Sequence, residues 1–316
     1  MNDVNTMRAI GQDVLGGPEV LKVIEAARPK PRPNEVLVRV RAAGLNPTDW
    51  KHRENGGFLG KPPFVLGWDV SGTVEETGIG VAAFKAGDEV FGMAPYPFGH
   101  GTHAEYAIVP ARALVPKPAG IDHVQAAALP LVSLTAWQAL VENADVQPGQ
   151  RVLIHAAAGG VGHVAAQIAK ARGAYVIGTA SAGKHDFLRE IGVDEPVDYR
   201  SVDVTETVRD VDVVLDTIGG ATSTASLRVL RPGGIVVSIL PVGTPELYQE
   251  ADRLGVRAVR MLVDADRAGM RAVAGLVEEG RLRATIAGTF PLADAAKAHE
   301  LGGTGRTTGK LVLVMD

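Results

Sequence analysis

Apolar and polar residues alternate with period two across Glu35-Val36-Leu37-Val38-Arg39-Val40-Arg41-Ala42, as in a strand with one face buried. Shorter strand candidates at 70–75, 89–93 and 105–109, parted by Gly- and Pro-containing turns, make the first third of the chain β-rich. From about residue 124 good helix formers take over, in Ala126-Ala127-Ala128-Leu129 and again at 134–143. Strand candidates at 151–156, 175–179, 196–198, 211–217, 235–240 and 257–263 then alternate with helical segments at 161–172, 184–191, 202–210 and 221–230. Such alternation predicts βαβ units and a parallel, doubly wound sheet, so the fold class is α/β. Val211-Asp212-Val213-Val214-Leu215 supplies the apolar run that a strand covered on both faces requires. A helix over 267–280 and strands over 285–290 and 309–315 follow, and these last strands are expected to return to the β-rich domain.

Composition narrows the function classes. With 316 residues, and about 150 per domain as a guide, two domains are expected. The 32 basic and 36 acidic residues leave a formal net charge of −4, which disfavours a nucleic-acid binder working through a broad basic face. There is no cysteine, hence no disulfide, no thiol nucleophile and no thiolate-bound zinc. The polar opening Met1-Asn2-Asp3-Val4-Asn5-Thr6 lacks the basic and apolar stretches of a secretory signal, and no apolar run reaches the ~20 residues of a bilayer span. A cytoplasmic protein is expected. Glycine is in excess, 38 of 316 residues or about 12% against a usual ~7%.

Part of that excess has a chemical address. Val152-Leu153-Ile154-His155-Ala156-Ala157-Ala158-Gly159-Gly160-Val161-Gly162-His163 reads as a strand, a turn of small residues and a helix start. Ala157, Gly159 and Gly162 occupy the three spaced places of the dinucleotide fingerprint, with alanine in the first. Gly159 would admit a pyrophosphate to the backbone, and Gly162 would let the helix pack closely on the strand. Ala158, Gly159, Gly160, Val161 and Gly162 are therefore the candidate cradle, with free N–H groups and the positive helix end facing the phosphates. An NAD site places a carboxylate at the end of the next strand; here Gly178-Thr179-Ala180-Ser181-Ala182-Gly183-Lys184 has none before Asp186. Ser181 and Lys184 instead suit a 2′-phosphate, which favours NADPH.

With these residues placed, the chain resembles the zinc-independent quinone oxidoreductase branch of the medium-chain dehydrogenase/reductase superfamily. The resemblance runs from Met7 to the end. It rests on Gly16-Gly17-Pro18-Glu19-Val20-Leu21, Gly44-Leu45-Asn46-Pro47-Thr48-Asp49-Trp50-Lys51, Leu66-Gly67-Trp68-Asp69-Val70-Ser71-Gly72, Gly87-Asp88-Glu89-Val90-Phe91-Gly92, Leu134-Thr135-Ala136-Trp137-Gln138-Ala139-Leu140, the glycine turn and Gly309-Lys310-Leu311-Val312-Leu313. It implies a GroES-like catalytic domain over 1–122, a Rossmann NADP-binding domain over 123–264, and a return to the catalytic domain over 265–316, with the active site in the cleft and a homodimer as the common assembly.

The reaction so implied is hydride delivery from NADPH to a quinone or to the C=C of an α,β-unsaturated carbonyl compound. The zinc-dependent branch has Cys, His and Cys where this chain has Asn46, Trp68 and Leu131, which implies a metal-free enzyme. His100 and His103 read as loop residues rather than ligands. Hydride addition to an enone puts negative charge on the carbonyl oxygen, so a donor is sought. Asn46, Asp49 and Lys51, expected in a loop leaving the strand 36–43, are the catalytic candidates. Relatives acting on alkenals carry lysine at the Lys51 position. By the same resemblance Thr135 lies beside the nicotinamide or its phosphates, and Tyr199, with Arg200, near the adenosine 2′-phosphate. Trp50, Phe58, Trp68 and Tyr96 are candidate walls for a flat acceptor. The alternatives are reduction of another activated C=C or C=N bond, or an NADPH-binding structural or sensing protein with little catalysis.

Overall fold

The computed structural model describes residues 6–240 and 245–315, so the polar opening 1–5 lies outside the described residues. The chain forms two compact units, one of Met1–Leu131, Asp264–Glu278 and Arg283–Asp316, the other of Val132–Val263 and Glu279–Leu282.

In the second unit, six strands make one all-parallel sheet. Its spatial order is Glu195–Asp198, Tyr175–Ala180, Arg151–Ile154, Val211–Asp216, Leu230–Ser238, Arg257–Arg260. Chain order therefore reverses between Arg151–Ile154 and Val211–Asp216, the switch point at which a doubly wound sheet opens a crevice beyond its strand ends. Every residue of Val211–Asp216 is buried, as its apolar run requires. Leu153, Ile177, Val214, Val236, Leu227 and Leu247 close the core around it. The helix expected over 202–210 contracts to the turn Val204–Thr207, where Asp203 caps the Thr205 N–H at 2.8 Å and Val208 is already extended. The one expected over 221–230 stops at Ser226, because Leu230 begins a nine-residue strand. A further helix, Pro245–Leu254, buries Leu247 and Ala251 and was not foreseen from the pattern.

The first unit is built on a seven-stranded sheet in which Glu35–Leu45 is the hub, pairing with Asp69–Thr77, Tyr106–Pro110 and Lys310–Val314. In burial the alternation is confined to residues 38–42, because Leu37 is covered along with Val36 and Val38, and from Ala42 to Leu45 both faces are covered. Two register shifts against Asp69–Thr77 bend the hub strand. Lys310–Val314, read at the chain's end as a strand returning to this domain, pairs antiparallel with the hub over Ala42–Leu45. Val36, Val38, Val40, Val70, Val90 and Leu114 form the main core on this sheet, and Ile10, Leu45, Leu292, Leu311 and Leu313 a second one.

Several elements of this unit escape the sequence pattern, four of them of some length. Thr6–Gln12 and Lys22–Ala27 form an antiparallel hairpin whose second strand is nearly all exposed. Pro47–Asn55 is a helix where a loop was expected, and Ala295–Gly303 is a helix between the last two strands. Among the described residues no helix is long and apolar enough to cross a membrane.

Candidate active site

The strand Arg151–Ile154 ends in a turn whose geometry is set by small residues. Ala156 adopts a left-handed backbone with φ of +48°. Its N–H is taken by the Thr179 hydroxyl at 3.0 Å, and the Ala157 N–H by the Thr179 carbonyl at 2.9 Å. The helix Gly160–Ala171 then starts from Gly159, which is extended and offers no side-chain cap. Among the described residues the first turn of that helix holds no acid, and Gly159, Gly160 and Val161 are part exposed.

Gly162 is the close approach. A Cβ there would sit 2.4 Å from the Ala156 oxygen and 2.7 Å from the Ala157 Cα, so no side chain fits. The departure at Ala157 is matched on the neighbouring strand, because Gly178 faces the Ala157 methyl and its own Cβ would stand 2.9 Å from it. Glycine has moved from the turn to the strand beside it. Ala158 is buried beneath the turn.

The end of Tyr175–Ala180 carries Ser181, part exposed, followed by a short turn through Lys184. The first acid after it, Asp186, faces solvent in an ion pair with Arg189 at 2.8 Å. Tyr199 and Arg200 follow the adjoining strand Glu195–Asp198 and are exposed. A 2′-phosphate fits this rim, and a carboxylate poised for a free ribose hydroxyl is absent from the strand end. Thr135 lies inside the helix Pro130–Trp137 and is almost fully buried. Asp216, at the switch point, was missed in the sequence; its carboxylate accepts from Ile218 N–H at 3.0 Å, Gly219 N–H at 2.9 Å and the Ser223 hydroxyl, and so shapes the rim.

In the first unit the expected catalytic loop is a helix N-terminus. Asn46 is the N-cap, Pro47 the first helical residue, and Asp49 Oδ2 accepts the Asn46 N–H at 2.6 Å. Asn46 and Asp49 are wholly buried. Lys51 is exposed and, two residues from Asp49, points to another side of the helix, so the three candidates do not converge.

What Asn46 and Asp49 do join is an interior charge cluster. Lys310 Nζ donates to the Leu45 carbonyl at 2.7 Å, to Asn46 Oδ1, and to Asp69 Oδ2 at 3.3 Å. Asp69 also accepts from Asn46 Nδ2 at 2.8 Å and from Leu131 N–H at 2.6 Å. Burial pushes the Asp69 carboxyl up and the Lys310 ammonium down, each toward its neutral form. The hydrogen bonds argue the other way: every partner of Asp69 is a donor and every partner of Lys310 an acceptor, the arrangement of an ion pair. Asp49 is the carboxyl left over, and burial pushes it up to about 8. Burial likewise holds the His103 ring at about 4 and the His299 ring at about 2, both neutral. His103 sits in a loop as expected, but in the core.

Among the described residues no group of three His, Cys, Asp or Glu side chains could hold a metal ion. At the positions that correspond to a catalytic zinc site, Asn46 spends its amide on Asp69 and Lys310, Trp68 is buried with its Nε1–H on the Pro97 carbonyl at 3.1 Å, and Leu131 has no donor atom. These residues do not fit zinc.

A second cluster lies nearer the surface. Tyr96, Phe58, Trp68 and His52 meet ring to ring, with centroids 5.2 Å apart for Trp68–Tyr96 and 6.0 Å for Phe58–Tyr96. Of the four aromatic residues expected as walls, Phe58, Trp68 and Tyr96 meet here, with Trp68 fully buried, whereas Trp50 stands edge-on to His299 at 6.2 Å; the polar chain beneath them was not legible.

Comparison with known proteins gives two family matches, an alcohol dehydrogenase GroES-like domain over residues 32–119 and a zinc-binding dehydrogenase over residues 191–313. The chain is similar to a human quinone oxidoreductase, 32% identical over 98% of each chain. It is also similar to a 2-haloacrylate reductase of Burkholderia, 35% identical over 95% of this chain and 96% of that one. Among solved structures, Escherichia coli quinone oxidoreductase complexed with NADPH superposes with a TM-score of 0.86 at 30% identity, over 97% of this chain and 99% of the other.

Proposed function

This chain belongs to the quinone oxidoreductase branch of the medium-chain dehydrogenase/reductase superfamily, and we propose that within it the protein is an NADPH-dependent, metal-free reductase of quinones or of the C=C of α,β-unsaturated carbonyl compounds. The observation that carries the cofactor is the uncapped helix end above Gly162, where a Cβ would meet the Ala156 oxygen at 2.4 Å. NADPH supplies a hydride when bound. Gly159, Gly160 and Val161, with Ala158 beneath them, are assigned to its pyrophosphate, with the N–H groups of Gly160 and Val161 as donors, because the Gly159 N–H closes the turn on the Ala156 carbonyl at 2.8 Å. Ser181, Lys184 and Tyr199 are assigned to its 2′-phosphate, and Thr135 to the nicotinamide end.

The burial of Asn46 and Asp49 makes them positioning residues: they fix the start of the helix Pro47–Asn55. Lys51, on the exposed side, is assigned to the cofactor ribose or the acceptor oxygen. The acceptor class is supported by the reductases to which the chain is similar, one named for quinones and one for 2-haloacrylate. A homodimer is the assembly inferred, which light scattering tests.

The decisive assay follows NADPH absorbance with a panel of quinones, alkenals, cyclic enones and alcohols. Oxidation by quinones or enones is expected, with NADPH preferred to NADH at least about tenfold, the worth of one charge-assisted contact. NADPH binding without oxidation by any acceptor would sink the reading in favour of a sensing protein. Equal use of NADH would remove the assignment of Ser181 and Lys184, and unchanged turnover in Lys51→Met would remove Lys51.

A further inference from the structure

The polar chain under the aromatic cluster has a direction. Phe58 N–H donates to His52 Nε2 at 3.2 Å, so that nitrogen carries no proton. Burial holds the ring below the usual histidine range, in its neutral form, and the single ring proton is therefore on Nδ1. That N–H donates to the Thr48 carbonyl at 2.7 Å and lies 3.0 Å from the Thr48 hydroxyl. A protonated Nδ1 cannot accept from Thr48, so of the two side-chain neighbours of the Thr48 hydroxyl only the Tyr96 oxygen, at 2.9 Å, can take its proton. In that direction Tyr96 accepts from Thr48, and its own O–H is left to donate elsewhere. Desolvation pushes the phenol up from its usual range, so it stays a donor throughout the neutral range.

The surroundings suit a flat ligand. Phe58, 47% exposed, stands edge-on to Tyr96, and Trp68 backs it from the interior. All of these residues belong to the first unit. Resting on the reductase reading above, we propose that Tyr96 is the catalytic hydrogen-bond donor to the carbonyl oxygen of the acceptor, positioned by Thr48 and His52 and backed by the buried Trp68, with the exposed Phe58 selecting planar conjugated carbonyl compounds. Hydride arriving at the β-carbon pushes the C=C electron pair through to the carbonyl oxygen, and the Tyr96 O–H holds that oxyanion. A solvent proton at the α-carbon completes the two-electron reduction, and Tyr96 keeps its own proton. With a quinone the same hydroxyl faces the developing hydroquinone monoanion.

The test uses the full chain and two readouts. Tyr96→Phe keeps the ring and is expected to lower kcat about 100-fold, as loss of one oxyanion donor does, with NADPH affinity unchanged. Binding of 4-nitrophenolate, an oxyanion mimic read by its absorbance shift, is expected to weaken about tenfold in the same variant. Thr48→Val should lower kcat about tenfold and Thr48→Ser should restore it, because only the hydroxyl is needed to orient Tyr96. Wild-type kcat and wild-type phenolate affinity in Tyr96→Phe would overturn the proposal. A wild-type protein that binds 4-nitrophenolate through Tyr96 yet reduces no acceptor would keep the donor and overturn the reductase reading instead.

Discussion

Lys310 stands in Gly309-Lys310-Leu311-Val312-Leu313, a strand otherwise apolar and buried, where an ammonium needs acceptors on every side. Asn46 and Asp49 were legible as polar residues in a motif, but their partner was not, because the contact of Lys310 with Asp69 spans 241 residues. The third ionisable group of the cluster, Asp49, has a consequence for stability. Its folded-state pKa of about 8 lies above the ordinary value of 3.8, so the stability it contributes is complete below about pH 4 and lost as pH rises through 8. His103 and His299 have the opposite sign: their folded values of about 4 and about 2 lie below 6.5, so their contribution is present above 6.5 and lost as pH falls toward those values. Asp49→Asn removes the first effect, together with the influence of Asp49 on Lys310 and on His103 4.0 Å away. Its melting temperature relative to wild type should therefore rise steadily from pH 4 to pH 8, and a constant difference over that range would show that Asp49 is not the titrating group.

At the scale of elements, what reads well is what is local. The βαβ alternation is written in consecutive segments, and its strands and glycine turn fall within a few residues of their expected places. The helix Pro47–Asn55 was missed because Lys51, His52, Arg53, Glu54 and Asn55 give no apolar stripe; its signal was the N-cap Asn46 with Pro47 and Asp49 after it. The hairpin strand Lys22–Ala27 shows no alternation because almost none of it is buried. Ala157 looked like a defect in the fingerprint until the neighbouring strand placed Gly178 against it. That pairing predicts a coupling between the two. Gly178→Ala should destabilise by about 1–3 kcal/mol through the added methyl, and Ala157→Gly in the same chain should recover part of that loss. Urea denaturation of the four variants in the cycle measures it, and additive effects would mean the two positions do not share the space. Val193 Cγ1, 3.0 Å from the same Cβ position, sets the part that is not recovered.

For the whole molecule, the class of fold and the order of its parts followed from pattern and motif together, while the acceptor-side chemistry did not. The Thr48–Tyr96 contact joins residues 48 apart in the chain, on a helix the pattern did not foresee and a loop with no regular structure. Such a donor becomes visible only when the ring proton of a third residue, His52, is located.

The first unit is assembled from three separate stretches of chain, and the second almost entirely from one, Val132–Val263. During synthesis that difference becomes an order of events. The nucleotide-binding sheet is complete once residue 263 has left the ribosome, whereas Asp69 and Asn46 wait for Lys310 as members of a core that still lacks its counter-ion. A nascent chain arrested after residue 305, long enough for residue 263 to clear the exit tunnel but lacking Lys310, should accordingly yield a protease-resistant fragment from 132–263 while 6–131 is cut freely. Equal resistance of both at that point would mean the closing strand is dispensable. Until Lys310 is made, the unfinished surface that a chaperone would meet therefore lies in residues 6–131 rather than in 132–263.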